Sequence, residues 1–155
     1  MERFRVEQVG PDRVPVVFDL VQALLVELGE EGDETGPLDR RELLKRWGAD
    51  PGRHLALIAW TEDGTAAGVV TVAEAFAFYA QGWYGIVNEM YVVPEHRGAG
   101  VGKLLLDAVK DLARESRWVR VDVTAPESPR WERTRRFYER EGFSFTGPKL
   151  KYLVR

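Results

Sequence analysis

Three glycines lie between an apolar segment and an amphipathic segment near the middle of the chain. Gly98, Gly100 and Gly102 follow the apolar residues 88–93, and apolar residues at helical spacing begin at Val101. Successive N–H groups in such a loop can converge on one phosphate, and the positive end of the helix dipole strengthens the attraction. The sequence therefore predicts an anion site at a strand-to-helix turn.

The spacing of these glycines excludes two common phosphate-binding motifs. A dinucleotide-binding fingerprint needs a third Gly where this chain has Lys103. A P-loop needs Gly in place of Arg97 and Ser or Thr in place of Leu104. The remaining pattern, Arg97-x-x-Gly100-x-Gly102, resembles the motif that binds the pyrophosphate of acetyl-coenzyme A in the GNAT superfamily of N-acetyltransferases. An ordinary glycine-rich turn is the alternative interpretation.

A second segment, about forty residues further along the chain, resembles the other motif of that superfamily. Phe137 and Tyr138 lie on a predicted helix that ends at Gly142 and Phe143. Two positions depart from the family pattern, because Trp131 and Thr134 stand where members often carry Asn and Ala. Together the two motifs imply an acyl-CoA-dependent N-acetyltransferase that acts by direct attack of an amine within a ternary complex.

The resemblance also implies which residues contact acetyl-coenzyme A. The N–H groups of residues 97–102 would hold the pyrophosphate, with positive charge added by Arg97 and Lys103. The N–H group of Val92 would meet the thioester carbonyl. The expected cofactor-binding residues are Tyr91, Val92, Val93, Arg97, Gly98, Ala99, Gly100, Val101, Gly102, Lys103 and Tyr138.

Acetylation of an amine needs a group that accepts the amine proton and a group that protonates the leaving thiolate. Glu89 is the expected base, acting directly or through water, because a carboxylate in an apolar strand is unfavourable unless it is paired or functional. Pairing with an Arg or a backbone amide is the alternative role for Glu89. Strand alternation predicts that Asn88 faces the opposite way. The resemblance places Tyr138 beside the cofactor sulfur, as the acid.

The periodicity of apolar residues predicts the order of strands and helices. The predicted strands are 4–9, 55–60, 66–75, 86–93, 118–124, 143–145 and 150–154, and the predicted helices are 14–28, 37–47, 101–117 and 130–141. This order is typical of an α/β fold with a mixed sheet. The resemblance makes it GNAT-like, with a mostly antiparallel sheet flanked by helices on both faces, in one domain spanning residues 1–155.

The composition narrows the class of protein. The chain has 155 residues, a net charge of −3, no Cys and two His that lie far apart. These counts exclude a disulfide framework and a thiol nucleophile, and they show neither a metal cluster nor a nucleic-acid footprint. With no signal peptide and no apolar run long enough to span a membrane, we expect a cytoplasmic protein without metal, nucleic-acid or membrane partners. The resemblance adds a possible homodimer.

Two further features bear on the acceptor. Five acids lie within residues 27–34, namely Glu27, Glu30, Glu31, Asp33 and Glu34, and an aromatic connection contains Phe76, Phe78, Tyr79, Trp83 and Tyr84. If the two segments face each other, a small cationic amine is the favoured acceptor. A solvated acidic loop is the alternative interpretation of the acids. Other functional hypotheses are acetylation of a protein or peptide, and a non-catalytic acyl-CoA-sensing module.

Overall fold

The computed structural model describes residues 3–29, 36–50, 52–125 and 131–154. The chain has two compact units, Met1–Asp122 and Val123–Arg155. The strands are β1 (Phe4–Gln8), β2 (His54–Thr61), β3 (Ala66–Ala77), β4 (Gly82–Val92) and β5 (Val121–Val123). The helices are α1 (Val14–Leu28), α2 (Arg40–Ala49), α3 (Val101–Glu115) and α4 (Glu132–Arg140), with short 3-10 turns at Pro11–Arg13, Phe78–Ala80 and Pro94–His96.

The five strands form one mixed sheet in the order β1-β2-β3-β4-β5. The pairs β1 with β2, β2 with β3, and β3 with β4 are all antiparallel. Val69 of β3 belongs to the apolar cluster that includes Val17 of α1, whereas its neighbour Gly68 faces Val101 of α3. Because consecutive strand residues lie on opposite faces, α1 and α3 cover opposite faces of the sheet. This confirms the predicted α/β fold.

A close approach between β3 and α3 sets the position of the helix start. A Cβ on Gly68 would lie 2.9 Å from the carbonyl oxygen of Tyr91 and 3.1 Å from Cγ1 of Val101. Glycine therefore allows the first turn of α3 to pack against β3, beside the end of β4. The residues of α3 that are fully buried recur at helical spacing and are Val101, Leu105, Leu106 and Val109.

β4 contains a bulge within its pairing to β3. Thr71 pairs with Glu89, but the next residue, Val72, pairs with Val87, so Asn88 has no partner in β3. Because Thr71 and Val72 lie on opposite faces, their partners Glu89 and Val87 do so as well. A regular strand would put Glu89 and Val87 on the same face. The bulge therefore turns Glu89 to the face that α1 covers, and the regular alternation assumed for Asn88 does not hold.

Two predicted strands near the C-terminal end are wrong. The structure has no strand at residues 143–145 or 150–154, which both lie within the described part of the chain. Their apolar side chains remain exposed, at Phe145, Leu150, Tyr152 and Val154. A strand pair that buries so little apolar area is at best marginally stable in water.

Other boundaries differ from the predictions for local reasons. α2 begins at Arg40 rather than at residue 37, because the Asp39 carboxylate caps the helix by accepting the N–H of Glu42 at 3.1 Å. β5 is shorter than predicted, and the Trp118 indole N–H before it donates to the Glu74 carboxylate at 2.6 Å. The predicted first residue of the last helix, Arg130, lies outside the described residues.

Candidate active site

The predicted anion site lies between the end of β4 and the start of α3. Gly98 has a φ angle of 80° and Gly100 one of 85°, a left-handed conformation that glycine adopts without steric cost. A Cβ added to either residue would meet no atom within 4 Å. The glycines are therefore needed for the direction of the backbone, and the space beside them is open.

The loop presents its N–H groups at the positive end of α3. The N–H of Leu104 donates to the carbonyl oxygen of Gly100 at 3.1 Å, so helical hydrogen bonding begins there. The N–H groups of the preceding turn have no acceptor within the helix, and the helix dipole adds to their attraction for an anion. The open loop is thus compatible with an anion, and a pyrophosphate bound to Gly98, Ala99, Gly100, Val101 and Gly102 stays a prediction.

The two basic side chains of the loop do not extend into this open space. Arg97 folds back, so that its Nε donates to the carbonyl oxygen of Val92 and its Nη2 to the carboxylate of Glu27, both at 2.9 Å. Lys103 Nζ lies 3.4 Å from the Asp107 carboxylate, one turn further along α3. Each charge is paired with an acid, which reduces its attraction for an anion at the loop.

The backbone of Val92 points away from β3. Hydrogen-bonded and non-hydrogen-bonded pairs alternate along antiparallel strands. The N–H of Val93 donates to the carbonyl oxygen of Ala67 at 2.9 Å, so the neighbouring pair, Val92 with Gly68, is not hydrogen-bonded. The N–H and C=O of Val92 therefore face the outer side of β4, as the Arg97 contact to its carbonyl oxygen also requires.

The neighbouring strand leaves this part of β4 uncovered. β5 has 3 residues and β4 has 11. Near the start of β4, the N–H of Gly85 donates to the carbonyl oxygen of Arg120, the residue before β5, at 3.2 Å. Val92 is the last residue of β4. The N–H of Val92 therefore lies beyond the reach of the three residues of β5. Its donation to a carbonyl oxygen of a ligand at the edge of the sheet stays a prediction.

Tyr91 and Val93 flank this edge and have structural side chains. Tyr91 is buried within the core cluster, and Val93 packs against that cluster. Burial raises the pKa of Tyr91, the negative charge of Glu27 raises it further, and the positive charge of Arg97 opposes the shift. These side chains support the strand from the α1 face, so any contact of either residue with a cofactor would involve its backbone.

Glu89 is partly buried and contacts a hydroxyl group on the neighbouring strand. The Thr71 hydroxyl donates to Glu89 Oε1, and the same hydroxyl oxygen accepts the N–H of Glu89 at 3.0 Å. Thr71 itself is buried. Thr71 was not predicted from the sequence, although a single hydroxyl within the apolar run of β3 is a usable signal. The contact fixes one carboxylate oxygen and is compatible with the predicted role of Glu89 as a base.

Tyr138 lies on α4, in the second unit of the chain. Its ring is 7% exposed and lies edge-on to Phe143 at 5.6 Å between centroids. Gly142 ends this region with a φ angle of 98°, and the N–H of Phe143 donates to the carbonyl oxygen of Tyr138 at 3.0 Å. Burial raises the pKa of Tyr138 to about 12. The hydroxyl is therefore protonated at neutral pH and is available as a donor.

Glu27, the one acid of the segment 27–34 that the structure describes, does not lie beside the aromatic connection. Glu27 contacts Arg97 beside the end of β4, whereas Phe76 pairs with Trp83 at its start. At about 3.3 Å per residue, the length of β4 separates the two places by roughly 30 Å. The other acids of the segment, Glu30, Glu31, Asp33 and Glu34, lie outside the described residues.

The described residues contain neither a metal-binding cluster nor a helix that could span a membrane. Within residues 3–29, 36–50, 52–125 and 131–154, no three His, Cys, Asp or Glu side chains are grouped so that they could hold a metal ion. In the same ranges, no helix has the length and hydropathy that crossing a membrane requires.

Comparison with known proteins identifies the family. Residues 52–145 match the acetyltransferase (GNAT) domain. Over 82 residues the chain is 33% identical to an IAA acetyltransferase of Azospirillum brasilense, a match that covers 52% of each protein, so the chain matches about half the length of that curated relative.

Solved structures share the fold at low sequence identity. An aminoglycoside acetyltransferase from an uncultured soil metagenomic sample has a TM-score of 0.81 at 20% identity, over 99% of both chains. A ribosomal-protein-alanine N-acetyltransferase from Brucella melitensis biovar Abortus 2308 has a TM-score of 0.73 at 22% identity, again over 99% of both chains. The family match covers more than half of the chain and agrees with this fold. The chain belongs to the GNAT acetyltransferase family.

Proposed function

We propose that the chain is an acyl-CoA-dependent N-acetyltransferase, a single GNAT-type domain that transfers an acetyl group to a primary amine by direct attack in a ternary complex. The observation that carries the proposal is the combination of two backbone features on one strand-turn-helix segment. The glycine loop opens α3 with N–H groups suited to a pyrophosphate, and the N–H of Val92 faces the side of β4 beyond the three residues of β5. An anion site and a donor for a carbonyl oxygen are what an acyl-CoA donor needs.

The residues around the loop have separate proposed roles. Acetyl-coenzyme A, when bound, supplies the acetyl thioester. The N–H groups of residues 98–102 would hold its pyrophosphate, and the N–H of Val92 would donate to the thioester carbonyl oxygen. Lys103 adds positive charge near the loop, although its pairing with Asp107 reduces that contribution.

The proton transfers are assigned to two side chains. A carboxylate oxygen of Glu89, directly or through a water molecule, would take the proton that the amine must lose. Glu89 Oε1 accepts from the Thr71 hydroxyl, which holds the carboxylate in place. The hydroxyl of Tyr138 would donate to the departing sulfur. Its pKa of about 12 keeps that proton on the oxygen through neutral and moderately alkaline pH.

The proposed acceptor is a small cationic amine. Several solved structures with this fold are aminoglycoside acetyltransferases, which supports a small-molecule acceptor by analogy alone. Acetylation of a protein or peptide is the second candidate, favoured by the shared fold of the ribosomal-protein-alanine N-acetyltransferase. A non-catalytic acyl-CoA sensor is the third, and it would bind the cofactor without turnover.

A thiol-release assay separates these functions. Purified protein is incubated with acetyl-coenzyme A and a panel that contains polyamines, aminoglycosides and peptides with free N-termini, and free thiol is followed over time. We expect release that depends on both the protein and an amine, and that is fastest with a small cationic amine. Thermal stabilisation by coenzyme A without thiol release across the panel would favour the sensor.

A further inference from the structure

Arg97 connects the glycine loop to two other parts of the first unit. Its guanidinium donates to the carbonyl oxygen of Val92 at the end of β4 and to the carboxylate of Glu27 in the last turn of α1. It also lies over the Tyr91 ring, with Cζ 5.5 Å from the ring centroid. The guanidinium is therefore held at three points, and none of them is the open side of the loop.

The position of Glu27 is unfavourable without this partner. A carboxylate in the last turn of a helix faces the negative end of the helix dipole, and the last turn of α1 contains no basic residue. Arg97 supplies the missing positive charge from 70 positions further along the chain. Ion pairs that are partly exposed contribute little to stability, so the structural effect of this pair is to fix geometry.

The contact reaches the residue whose N–H is the proposed donor to the thioester. In an extended strand the N–H and C=O of one residue point to the same side, so a bond that fixes the carbonyl of Val92 also fixes the direction of its N–H. Arg97 makes that bond, and Glu27 holds Arg97 in the orientation that makes it.

We propose that Glu27 and Arg97 are positioning residues that align the N–H of Val92 with the thioester carbonyl, whereas the loop backbone, and not the Arg97 guanidinium, holds the pyrophosphate. This inference rests on the proposed acetyltransferase function. Arg97 is then expected to affect kcat, whereas the sequence pattern alone predicts that it contributes to the affinity for the cofactor. The inference also gives a role to Glu27, which the sequence analysis counted only as part of an acidic segment.

Two substitutions and a matched control test the inference. Arg97→Lys keeps the positive charge but replaces Nε and Nη2, which donate separately to Val92 and Glu27, with a single nitrogen. Glu27→Gln removes the ion pair. We expect each to lower kcat by about tenfold, as small misplacements of reacting groups do, while the Kd for coenzyme A from calorimetry stays within about threefold. Asp107→Asn removes the similar ion pair of Lys103 and should leave kcat unchanged.

The double variant shows whether Glu27 and Arg97 act together on kcat or independently of each other. If Glu27 acts through Arg97, the variant with both substitutions has the kcat of Arg97→Lys alone, because coupled residues are not additive. A kcat reduced by the product of the two single effects would overturn the inference. So would an Arg97→Lys variant with unchanged kcat and a Kd for coenzyme A raised by tenfold or more, since that result identifies a phosphate ligand.

A measurement that does not need turnover separates this inference from the proposed function. The backbone amide resonance of Val92 is followed by NMR in the unliganded protein. We expect Glu27→Gln to shift it and Asp107→Asn to leave it in place. If the wild-type protein releases no thiol with any amine, the proposed function fails, and the Val92 resonance still decides whether Glu27 positions this residue. An unmoved resonance in Glu27→Gln would refute the positioning role.

Discussion

β4 packs against different neighbours at its two ends, which are the loop end at Val92, before the glycine loop, and the hairpin end at Gly82, after the connection from β3. At the loop end, Tyr91 is buried against the α1 face and its carbonyl oxygen lies close to Gly68, where α3 packs from the other face. At the hairpin end, Phe76 and Trp83 are both more than half exposed and contact each other edge-on at 5.4 Å. The loop end is therefore supported by two helices, whereas Phe76 and Trp83 at the hairpin end are largely exposed and pack on each other.

This difference indicates where geometry is fixed. Catalytic groups must be positioned closely, because an error of about 1 Å can cost about a hundredfold in rate. The bulge at Asn88 lies between the two ends and turns Glu89 toward the face that α1 covers. The half of β4 after the bulge therefore carries the proposed chemistry, and substitution of exposed residues in the half before it is expected to leave kcat unchanged.

The largest expected effect on kcat is the loss of the Tyr138 hydroxyl, and the Tyr79 hydroxyl provides the comparison. Tyr138→Phe should lower kcat by about a hundredfold or more, the usual contribution of a positioned acid, with little change in the Kd for coenzyme A. Tyr79→Phe, which removes the hydroxyl bonded to Tyr84 at the hairpin end, should leave kcat within about twofold of wild type. Steady-state kinetics and calorimetry measure both. Equal kcat values for the two variants would remove Tyr138 as the acid.

The next effect concerns the half of β4 after the bulge. Glu89→Gln preserves the size of the side chain and removes its negative charge, so we expect kcat to fall by about a hundredfold. The Kd for coenzyme A should not change. An unchanged kcat would mean that Glu89 only pairs with Thr71, the structural role left open by the sequence.

Two glycines with nearly the same left-handed φ angle allow the effect of a substitution on coenzyme A affinity to be separated from its effect on the stability of the fold. Gly100 in the loop and Gly64 in the β2–β3 turn have φ angles of 85° and 86°, and a Cβ on either would meet nothing within 4 Å. Substitution by Ala should cost each about 1–2 kcal/mol of unfolding free energy. Only Gly100→Ala should also raise the Kd for coenzyme A, by about tenfold. A similar Kd change in Gly64→Ala would show that the loss follows stability alone.

Alkaline pH provides a test of the burial of Tyr138. Its pKa is about 10 in the unfolded chain and about 12 in the folded protein. The unfolded chain ionises first, so this contribution is complete below pH 10 and is lost as the pH rises toward 12. Relative to Tyr138→Phe, the wild type should lose about 1.4 kcal/mol of unfolding free energy between pH 9 and pH 11. The unfolding free energy of both proteins is measured by urea denaturation at each pH. An equal change with pH in the wild type and in Tyr138→Phe would contradict the burial of Tyr138.

The smallest expected effect is at the tip of the hairpin. Phe78 is 91% exposed, so Phe78→Ala should change the unfolding free energy by no more than about 0.5 kcal/mol. Turnover and cofactor affinity should remain those of the wild type. A clear rise in the KM of the amine, measured in the thiol assay, would place acceptor recognition at the hairpin end and break the comparison between the two ends of β4.

The sequence predicted the features that depend on local pattern. α1 has the predicted bounds, and the glycine loop opens α3 at Val101 as expected. Features that depend on distant pairing were not predictable from one sequence. The bulge at Asn88 is a register shift between β3 and β4, and the ion pair of Arg97 with Glu27 joins residues 70 positions apart. The strand predicted at residues 150–154 from alternation alone is also wrong, because a strand is stable only when it pairs with another strand.

The most direct measurement is a crystal structure of the protein with coenzyme A. We expect the pyrophosphate within hydrogen-bond distance of the N–H groups of residues 98–102, and the thiol end of the cofactor beside the N–H of Val92. Arg97 should still contact Glu27. A pyrophosphate bound elsewhere, or an Arg97 guanidinium that has left Glu27 to bind the phosphate, would contradict the assignment of the loop backbone as the donor site.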